Sequence, residues 1–360
     1  MPNQLFDYLP PDRLASLLEA VRSTRAGVLG DFCLDAYWFI DGTESIRSLE
    51  TGKAVRLVRH QSYSLGGAGN VASNLAGLGV NTVSAFGILA NDLFGREMRR
   101  QLEQAGVDIR GMPEARTPWQ TPVYCKPYEG DEEQERLDLG AFNTLDDATA
   151  RHVIAGLAAA VSQLDVVVVN EQVARGIHTT CMRAQLRKLL SSHPDTVFLF
   201  DSRHCPDAYP EAWLKLDEHT AAALAGMKTR YPPQNLPRND AWHAARALAD
   251  RSAHPVFVTL GADGCIVCDS SGATVIPTVR WRGPVDPVGA GDSFLAGVAA
   301  FLAAGATPVE AAAAGNLAAS VTVSELRKTG TPTPADLLGI ATEGPGRGDA
   351  RVRGKHSDNP

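Results

Sequence analysis

The sequence predicts an α/β fold in which a mostly parallel central sheet lies between two layers of helices. Apolar runs suited to strands recur along the chain and alternate with helical stretches, at 26–31, 165–170, 196–201, 255–261 and 264–269. A run such as DVVVVN at 165–170 is apolar at consecutive positions, which is typical of a strand buried on both faces. Alternating strands and helices form parallel sheets with helices on both sides.

The amino-terminal part begins with a helix, because residues 10–24 have the apolar spacing of one helix face after prolines at the start. A short strand at 26–31 ends in a glycine and an acid. The stretch GGAGNVASNLAGLGV at 66–80 indicates a glycine turn that leads into a helix of small residues. A strand at 81–90 and a helix at 92–106, which ends at a glycine, follow.

Two segments interrupt this alternation and predict a small β lid. Residues 36–64 are polar and β-branched in the manner of antiparallel strands, and residues 121–139 indicate a hairpin with EGDEE at its turn. The carboxyl-terminal residues are almost without apolar side chains, which predicts a disordered tail. The predicted main domain comprises residues 1–35, 65–115 and 140–342, the lid 36–64 and 116–139, and the tail 343–360.

Composition and charge exclude several classes of function. The 360 residues are 44% hydrophobic and 21% charged, which suffices for a large core. The net charge is −7 and the pI is near 5.7, so the chain lacks the excess of basic residues that is typical of a nucleic-acid-binding protein. No run approaches the ~20 apolar residues of a membrane span, and the start MPNQLFDYLPPDRL lacks the pattern of a secretory signal. We therefore expect a cytoplasmic protein with no membrane or nucleic-acid partner.

The six cysteines are scattered along the chain, which is typical of a cytosolic protein with reduced thiols. Cys265 and Cys268 form a lone C-x-x-C pair, and the residues around them predict a strand. Side chains three positions apart in a strand point to opposite faces. Metal binding by this pair is disfavoured, because it would need further ligands at suitable spacing.

The stretch GPVDPVGAGDSFLAGVAAFLAAG at 283–305 places an acid where a glycine-rich turn becomes an apolar helix. The first turn of a helix has unpaired N–H groups and the positive end of the helix dipole. Glycines allow an anion such as a phosphoryl group to approach the backbone closely. Asp292 in this turn is suited to accept a proton from an attacking hydroxyl. Taken alone, the motif is equally compatible with a helix cap.

Two motifs together resemble the signatures of the ribokinase-like (PfkB) carbohydrate kinases. DPVGAGDSF resembles the carboxyl-terminal signature D-T-x-G-A-G-D-x-F, with Pro287 in place of threonine, and GGAGNVASNLAGLG resembles the amino-terminal signature. The two motifs are about two hundred residues apart, in the family's order. The resemblance covers roughly residues 15–340. It is nearest, through GDFCLDAYWF and TGTPTPADLL, to the branch that phosphorylates heptose 7-phosphate in ADP-heptose synthesis.

The resemblance implies a three-layer α/β/α fold with a β lid and an ATP-dependent phosphorylation of a sugar or sugar phosphate. It makes Asp292 the catalytic base, with an anion hole formed by Gly289, Ala290 and Gly291. The residues that it assigns to substrate binding are Asp31, Asp35, Gly66, Gly67, Asn70, Lys126 and Arg203.

The same resemblance assigns a nucleotide site to the later part of the chain. The residues that it implies there are Asp217, Thr259, Gly261, Gly264 and Asn316. Asp286 matches a position near a monovalent cation in relatives, and dependence on K⁺ is left open because Pro287 alters that loop. Asp217 and Thr220 stand where the family has asparagine and glutamate of N-x-x-E, with Glu218 as an alternative, and Asp217 is expected to reach Mg²⁺ through water.

The departures from the family pattern keep a second interpretation open, namely a catalytically weak sugar- or nucleotide-binding regulatory protein on the same fold. A dinucleotide oxidoreductase is disfavoured, because GGAGNVASNLAG does not give G-x-G-x-x-G in the required register. The expected partner is a small-molecule sugar or sugar phosphate. Relatives often pair through the lid, so we also expect a homodimer.

Overall fold

The computed structural model describes residues 4–227, 236–281, 283–326 and 330–343. Its centre is a nine-stranded sheet in the order β14-β13-β12-β11-β10-β9-β1-β4-β5. The strands of this sheet are β1 (Arg25–Gly30), β4 (Thr82–Phe86), β5 (Asp108–Gly111), β9 (Val166–Glu171), β10 (Val197–Ser202), β11 (Trp213–Asp217), β12 (Val256–Thr259), β13 (Cys265–Asp269) and β14 (Gly272–Ile276). The neighbours from β5 to β12 pair in parallel.

Helices cover both faces of this sheet, as the sequence predicts. In β9, Val166 and Val168 belong to the core on one face, while Val167 and Val169 belong to the core on the other. The first face is covered by α1 (Pro11–Val21), α2 (Ala68–Gly77), α8 (Ala290–Ala303), α9 (Pro308–Thr322) and α10 (Pro334–Glu343), with α3 (Leu93–Gln104) beside α2. The second face is covered by α4 (Asp147–Ala160), α5 (Thr180–Ser192), α6 (Glu218–Leu224) and α7 (Arg238–Ala249). The predicted three-layer class is confirmed.

A second sheet of five strands stands beyond the carboxyl end of β1. Its strands are β2 (Phe32–Arg47), β3 (Ala54–Gly67), β6 (Val123–Glu129), β7 (Glu132–Glu133) and β8 (Leu137–Leu139). β2 and β3 form the expected antiparallel pair, and β6 turns into β7 at the expected hairpin. We call this second sheet the lid. Only Asp31 separates β2 from β1, and β3 leads directly into α2.

Part of the predicted alternation is wrong. The strand predicted at 264–269 does not follow a helix, because β13 pairs antiparallel with β12 across the short turn Gly261–Asp263. β11 and β14 were not predicted as strands. The tail predicted at 343–360 lies outside the described residues, apart from Glu343, which ends α10.

The cysteines behave as the strand pattern predicts. Cys265 is buried in the core on one face of the sheet and Cys268 in the core on the other. All six cysteines are free, and the described residues hold no cluster of three or more potential metal ligands of the His, Cys, Asp and Glu types. Over the same residues, no helix has both the length and the apolar character that a membrane crossing needs.

Candidate active site

A cleft of about 390 Å³ lies between the lid and the carboxyl ends of the parallel strands. The chain crosses from β1 to β4 on one side and later returns to β9 on the other side of β1. Such a switch in strand order opens a crevice at the carboxyl ends of the strands, where α/β proteins bind ligands. The ends of β9, β10, β11 and β12 line the cleft, together with lid residues and the turn before α8.

The glycine turn before α8 forms the floor of the cleft. Gly289 has a φ of +78°, in the left-handed region that favours glycine, and caps the amino end of α8. The N–H of Ala290 donates to the carbonyl of Pro287 at 3.1 Å, so it serves the turn itself. In the part of the chain that the structure describes, the N–H groups of Gly291 and Asp292 have no backbone acceptor outside α8. These two N–H groups are free to face an anion.

Asp292 is held at the start of α8 by an amide from α2. Asn70 Nδ2 donates to Asp292 Oδ2 at 2.8 Å. The pKa of Asp292 is raised to about 7, mainly by burial; the nearby Asp201 and Asp35 contribute to the rise, while the hydrogen bond from Asn70 and the charge of Lys215 oppose it. A carboxyl group with a pKa near neutrality is suited to general-base work at physiological pH.

Asn70 occupies a different place from the predicted substrate contact. It is 1% exposed, and Asn74 Nδ2 donates to its Oδ1 at 2.9 Å. One of its two amide hydrogens is donated to Asp292. Asn70 therefore positions the candidate base and does not itself line the cleft, while its contact with substrate stays a prediction.

A buried ion pair faces the glycine turn from the other side of the cleft. Lys215 Nζ lies 3.2 Å from Asp201 Oδ1, and both residues are 6% exposed. A Cβ built on Gly291 would lie 3.3 Å from the same Nζ, so Lys215 touches the turn that can hold an anion. Burial raises the pKa of Asp201, and Lys215 opposes that shift. The sequence interpretation missed both residues, although a lysine inside the short apolar run WLKLD was a usable signal.

The lid wall carries a second ion pair. Lys126 Nζ lies 2.7 Å from Asp35 Oδ1, and both residues line the cleft. A Cβ on Gly66 would lie 3.2 Å from Asp35 Oδ2 and 2.9 Å from Cys33 Sγ, so a larger residue here would crowd the Asp35 carboxylate. Gly67 also lines the cleft, with a φ of +53°. Four of the residues predicted to bind substrate therefore lie close to one another on this wall, namely Asp35, Gly66, Gly67 and Lys126.

Two arginines complete the positive side of the cleft. The guanidinium of Arg136 stacks 4.7 Å from the centre of the Tyr124 ring and pairs with Asp138 at 2.7 Å. Arg203 follows β10, is exposed, and has no ion-pair partner among the described residues. Of these two arginines, the sequence analysis identified Arg203.

Asp31 does not line the cleft, contrary to the prediction that it binds substrate. Its carboxylate is 2% exposed and accepts hydrogen bonds from the N–H groups of Gln172, Val173 and Ile177, at 3.0, 3.0 and 2.7 Å. Burial raises the pKa of Asp31, and the three N–H donors oppose the shift. Asp31 therefore fixes the loop after β9, and its partners lie about 140 residues away in the chain, beyond the reach of local pattern reading.

Replacing Asp31 by alanine should destabilise the fold by about 2–4 kcal/mol, because three buried N–H groups lose their acceptor. Urea unfolding at pH 8 measures the change. Asp195→Ala, at an exposed position between α5 and β10, is the control. A stability equal to that of the unaltered protein, with only the acceptor KM raised, would return Asp31 to the substrate-binding role.

Glu171, at the end of β9, holds the loop after β10 by hydrogen bonds, as Asp31 holds the loop after β9. Glu171 Oε2 accepts hydrogen bonds from the Ser202 hydroxyl at 2.7 Å and from the N–H groups of Arg203 and His204 at 3.1 and 2.7 Å. At the end of β10, Asp201 in turn holds Lys215 of β11. Successive strand ends are therefore tied to one another by carboxylates around the cleft.

The predicted nucleotide residues are only partly brought together. Thr259 lines the cleft, and Gly261 begins the turn beyond it with a φ of +54°. A Cβ on Gly264 would lie 2.1 Å from the carbonyl oxygen of Ile276, so this glycine serves the packing of β13 on β14. Asn316 is 3% exposed and its Nδ2 donates to the carbonyls of Ile276 and Pro277. Asn316 and Gly264 therefore hold this end of the sheet together and do not line the cleft, and their contact with the nucleotide stays a prediction.

The residues that stand in place of the family's N-x-x-E motif form the amino-terminal cap of α6. Asp217 Oδ1 accepts from the N–H groups of His219 and Thr220, and its Oδ2 accepts from the Thr220 hydroxyl at 2.8 Å. Glu218 accepts from the N–H of Leu236 and does not line the cleft, and its role in place of the family's glutamate stays a prediction. Asp286 Oδ1 accepts from the N–H of Val288, within the turn before α8.

A carboxylate at a glycine turn, on a parallel sheet covered by a lid, is the arrangement of kinases that phosphorylate small molecules. Residues 28–335 match the family described as pfkB family carbohydrate kinase. The chain belongs to this family and is a carbohydrate kinase.

Relatives agree with this assignment. The bifunctional protein HldE of Citrifermentans bemidjiense is 28% identical over 342 residues, which cover 94% of this chain and 67% of that protein. HldE of Geobacter sulfurreducens is 27% identical over 342 residues, with the same coverages of 94% and 67%. The chain thus corresponds to about two thirds of these longer proteins.

Solved structures support the ribokinase-like fold. Arabidopsis thaliana ribokinase complexed with ribose and ATP superimposes with a TM-score of 0.69 at 17% identity, covering 89% of this chain and 99% of that one. Escherichia coli phosphofructokinase-2 superimposes with a TM-score of 0.67 at 19% identity, covering 88% of this chain and 98% of that one.

Proposed function

We propose that the protein transfers the γ-phosphoryl group of ATP to a hydroxyl of a sugar or sugar phosphate. The observation that carries this proposal is the position of Asp292 in the glycine turn that begins α8, held by Asn70 and beside N–H groups that have no acceptor outside α8 among the described residues. Phosphoryl transfer depends mainly on positioning and on neutralising charge. The cleft offers a base, an anion-binding turn and a lysine within one small volume.

The chemical roles follow from these contacts. Asp292 accepts the proton of the attacking hydroxyl while Asn70 keeps its carboxylate oriented. The N–H groups of Gly291 and Asp292, with the ammonium of Lys215, stabilise the negative charge of the phosphoryl group. Mg²⁺ bound to the nucleotide neutralises phosphate charge, and Asp217 would reach it through water because its carboxylate already caps α6.

The cations of the cleft, two on the lid and one after β10, favour an acceptor that carries a phosphate of its own. Lys126, Arg136 and Arg203 all line the cleft. The guanidinium of Arg203 has no described ion-pair partner and is suited to bidentate contact with a phosphate. Together with the resemblance to the heptose 7-phosphate branch and to HldE proteins, these cations make a sugar phosphate such as heptose 7-phosphate the acceptor that we propose.

The experiment that tests the function measures ADP release from MgATP with heptose 7-phosphate, ribose, fructose and fructose phosphates, beside Asp292→Asn. A signal that depends on the acceptor and is lost in the variant supports the proposal. ATP binding by calorimetry with no ADP release for any acceptor would instead favour the regulatory binding protein, for which the capped Asp217 is the specific argument.

The rate should depend on pH through Asp292. The base is active only when ionised, so kcat/KM should fall about tenfold per pH unit below pH 7, the pKa to which burial raises this carboxyl group. Steady-state rates from pH 5 to pH 9 measure the profile. An acid limb near pH 4, as for an ordinary aspartate, would contradict the assignment of the base.

The remaining expectations are part of the same proposal. Ile46, Val58 and Leu137 are apolar lid residues that are 46%, 47% and 53% exposed, which supports a homodimer formed through the lid. Light scattering that finds only a monomer would refute the dimer.

We further propose a cytoplasmic location. Rates in potassium and sodium buffers decide whether the loop of Asp286 responds to K⁺.

A further inference from the structure

A second cavity of about 430 Å³ lies on the other side of the loop that follows β9. Its walls are this loop, the segment 143–145, the start of α5, and the residues that follow Arg203. None of its lining residues lines the catalytic cleft. Asp31 fixes the loop between the two cavities at three backbone positions, so the separating wall is well ordered.

The cavity is positively charged. Arg175, Arg183 and His204 line it, and none of their side chains has an ion-pair partner among the described residues. Arg175 is exposed and lies over the ring of Phe142 at 5.5 Å. Glu171 is the acid of the lining, and its Oε2 already accepts four hydrogen bonds, from Ser202 and the backbone of residues 203–205.

Hydrogen-bond donors accompany these charges. Thr144, Thr179 and Thr180 line the cavity, and α5, a helix of 13 residues, begins there after its cap Thr179. The positive end of the helix dipole therefore adds to the field of the two arginines. Arg183 is half-buried in the second turn of the same helix. Holding an unpaired guanidinium partly out of water is unfavourable unless an anion joins it.

We propose that this cavity is a second anion site, which binds a phosphate monoester of a small metabolite. Two guanidinium groups, an imidazole and threonine hydroxyls suit the oxygens of a phosphate. A volume of about 430 Å³ leaves room for a small organic group beside the phosphate. The site is separate from the place where the acceptor and ATP react.

Equilibrium dialysis with labelled inorganic phosphate tests the inference on the full chain. Arg183→Met should weaken one class of phosphate site at least tenfold. Arg187→Met is the matched control, because Arg187 lies one turn further along α5 and pairs with Glu211 at 2.7 Å, outside the cavity. Arg203→Met removes a cation of the catalytic cleft and should leave this class of site unchanged.

The outcomes are distinct. Equal phosphate binding by Arg183→Met and Arg187→Met would overturn the inference, as would the absence of binding by the unaltered protein up to about 20 mM phosphate. Loss of the phosphate site in Arg203→Met alone would assign the bound phosphate to the catalytic cleft, and this result would also overturn the inference. Thermal unfolding checks that Arg183→Met is folded. Should it not fold, Arg175→Met, on the loop, decides by the same tenfold criterion.

Discussion

Asp292→Asn should lower kcat by about 10³-fold, within the range of 10²–10⁴ that general-base help provides. Asparagine has the same size, and its Oδ1 still accepts the hydrogen bond from Asn70 Nδ2. Its neutral amide, however, takes no proton from the acceptor. Single-turnover rates with saturating MgATP measure the loss. Asp147→Asn, exposed on α4, is the control, and a rate above one tenth of normal in Asp292→Asn would remove the proposed base.

The same substitution should stabilise the fold. Burial raises the folded pKa of Asp292 from 3.8 to about 7, so the folded state holds this proton more tightly than the unfolded state. Stability therefore declines as pH rises from about 4 to 7, and at pH 8 the ionised group opposes folding. Its half-buried position reduces the effect, and we expect Asp292→Asn to be about 1–3 kcal/mol more stable at pH 8. Urea unfolding measures this gain, which should be absent at pH 4.

Lys215→Met should have the second large effect, a fall in kcat of about 10²–10³-fold, because it removes a buried positive charge beside the glycine turn. It should also destabilise the protein by about 3–5 kcal/mol, since Asp201 is left buried without its partner. Steady-state kinetics and urea unfolding measure the two effects. Lys188→Met, exposed on α5, should change neither.

A double variant separates the two roles of Lys215. Lys215→Met with Asp201→Asn removes both charges, so most of the stability should return. The rate should stay low, because the phosphoryl group still lacks the ammonium group. If the double variant regains the normal rate, Lys215 acts only as the partner of Asp201.

The fold was largely predictable because the central strands are buried on both faces and are therefore apolar at consecutive positions. The valines of β9 alternate between two cores, and such a strand is apolar at every position in the sequence. β11 was missed because Lys215 interrupts its apolar run. That lysine is tolerated in a buried strand only through Asp201, which lies 14 residues earlier in the chain.

The candidate site was predictable where one short motif contains both the backbone and the side chain, as at Gly289–Asp292. It was not predictable where the partner is distant. Asp31 and Asn70 have the right type for sugar contacts, yet both are committed to groups 141 and 222 positions away. The contacts of Asn316 were not predictable for a similar reason, because its carbonyl partners lie on a neighbouring hairpin.

The carboxylates that join successive strand ends have a consequence for local unfolding. Asp31 holds the loop after β9, Glu171 holds the loop after β10, and Asp201 holds β11. Opening any one of these loops exposes the acid that secures the next one. The rim of the cleft should therefore open as a single cooperative unit, so that its amide hydrogens exchange with solvent together and a protease finds either the whole rim accessible or none of it.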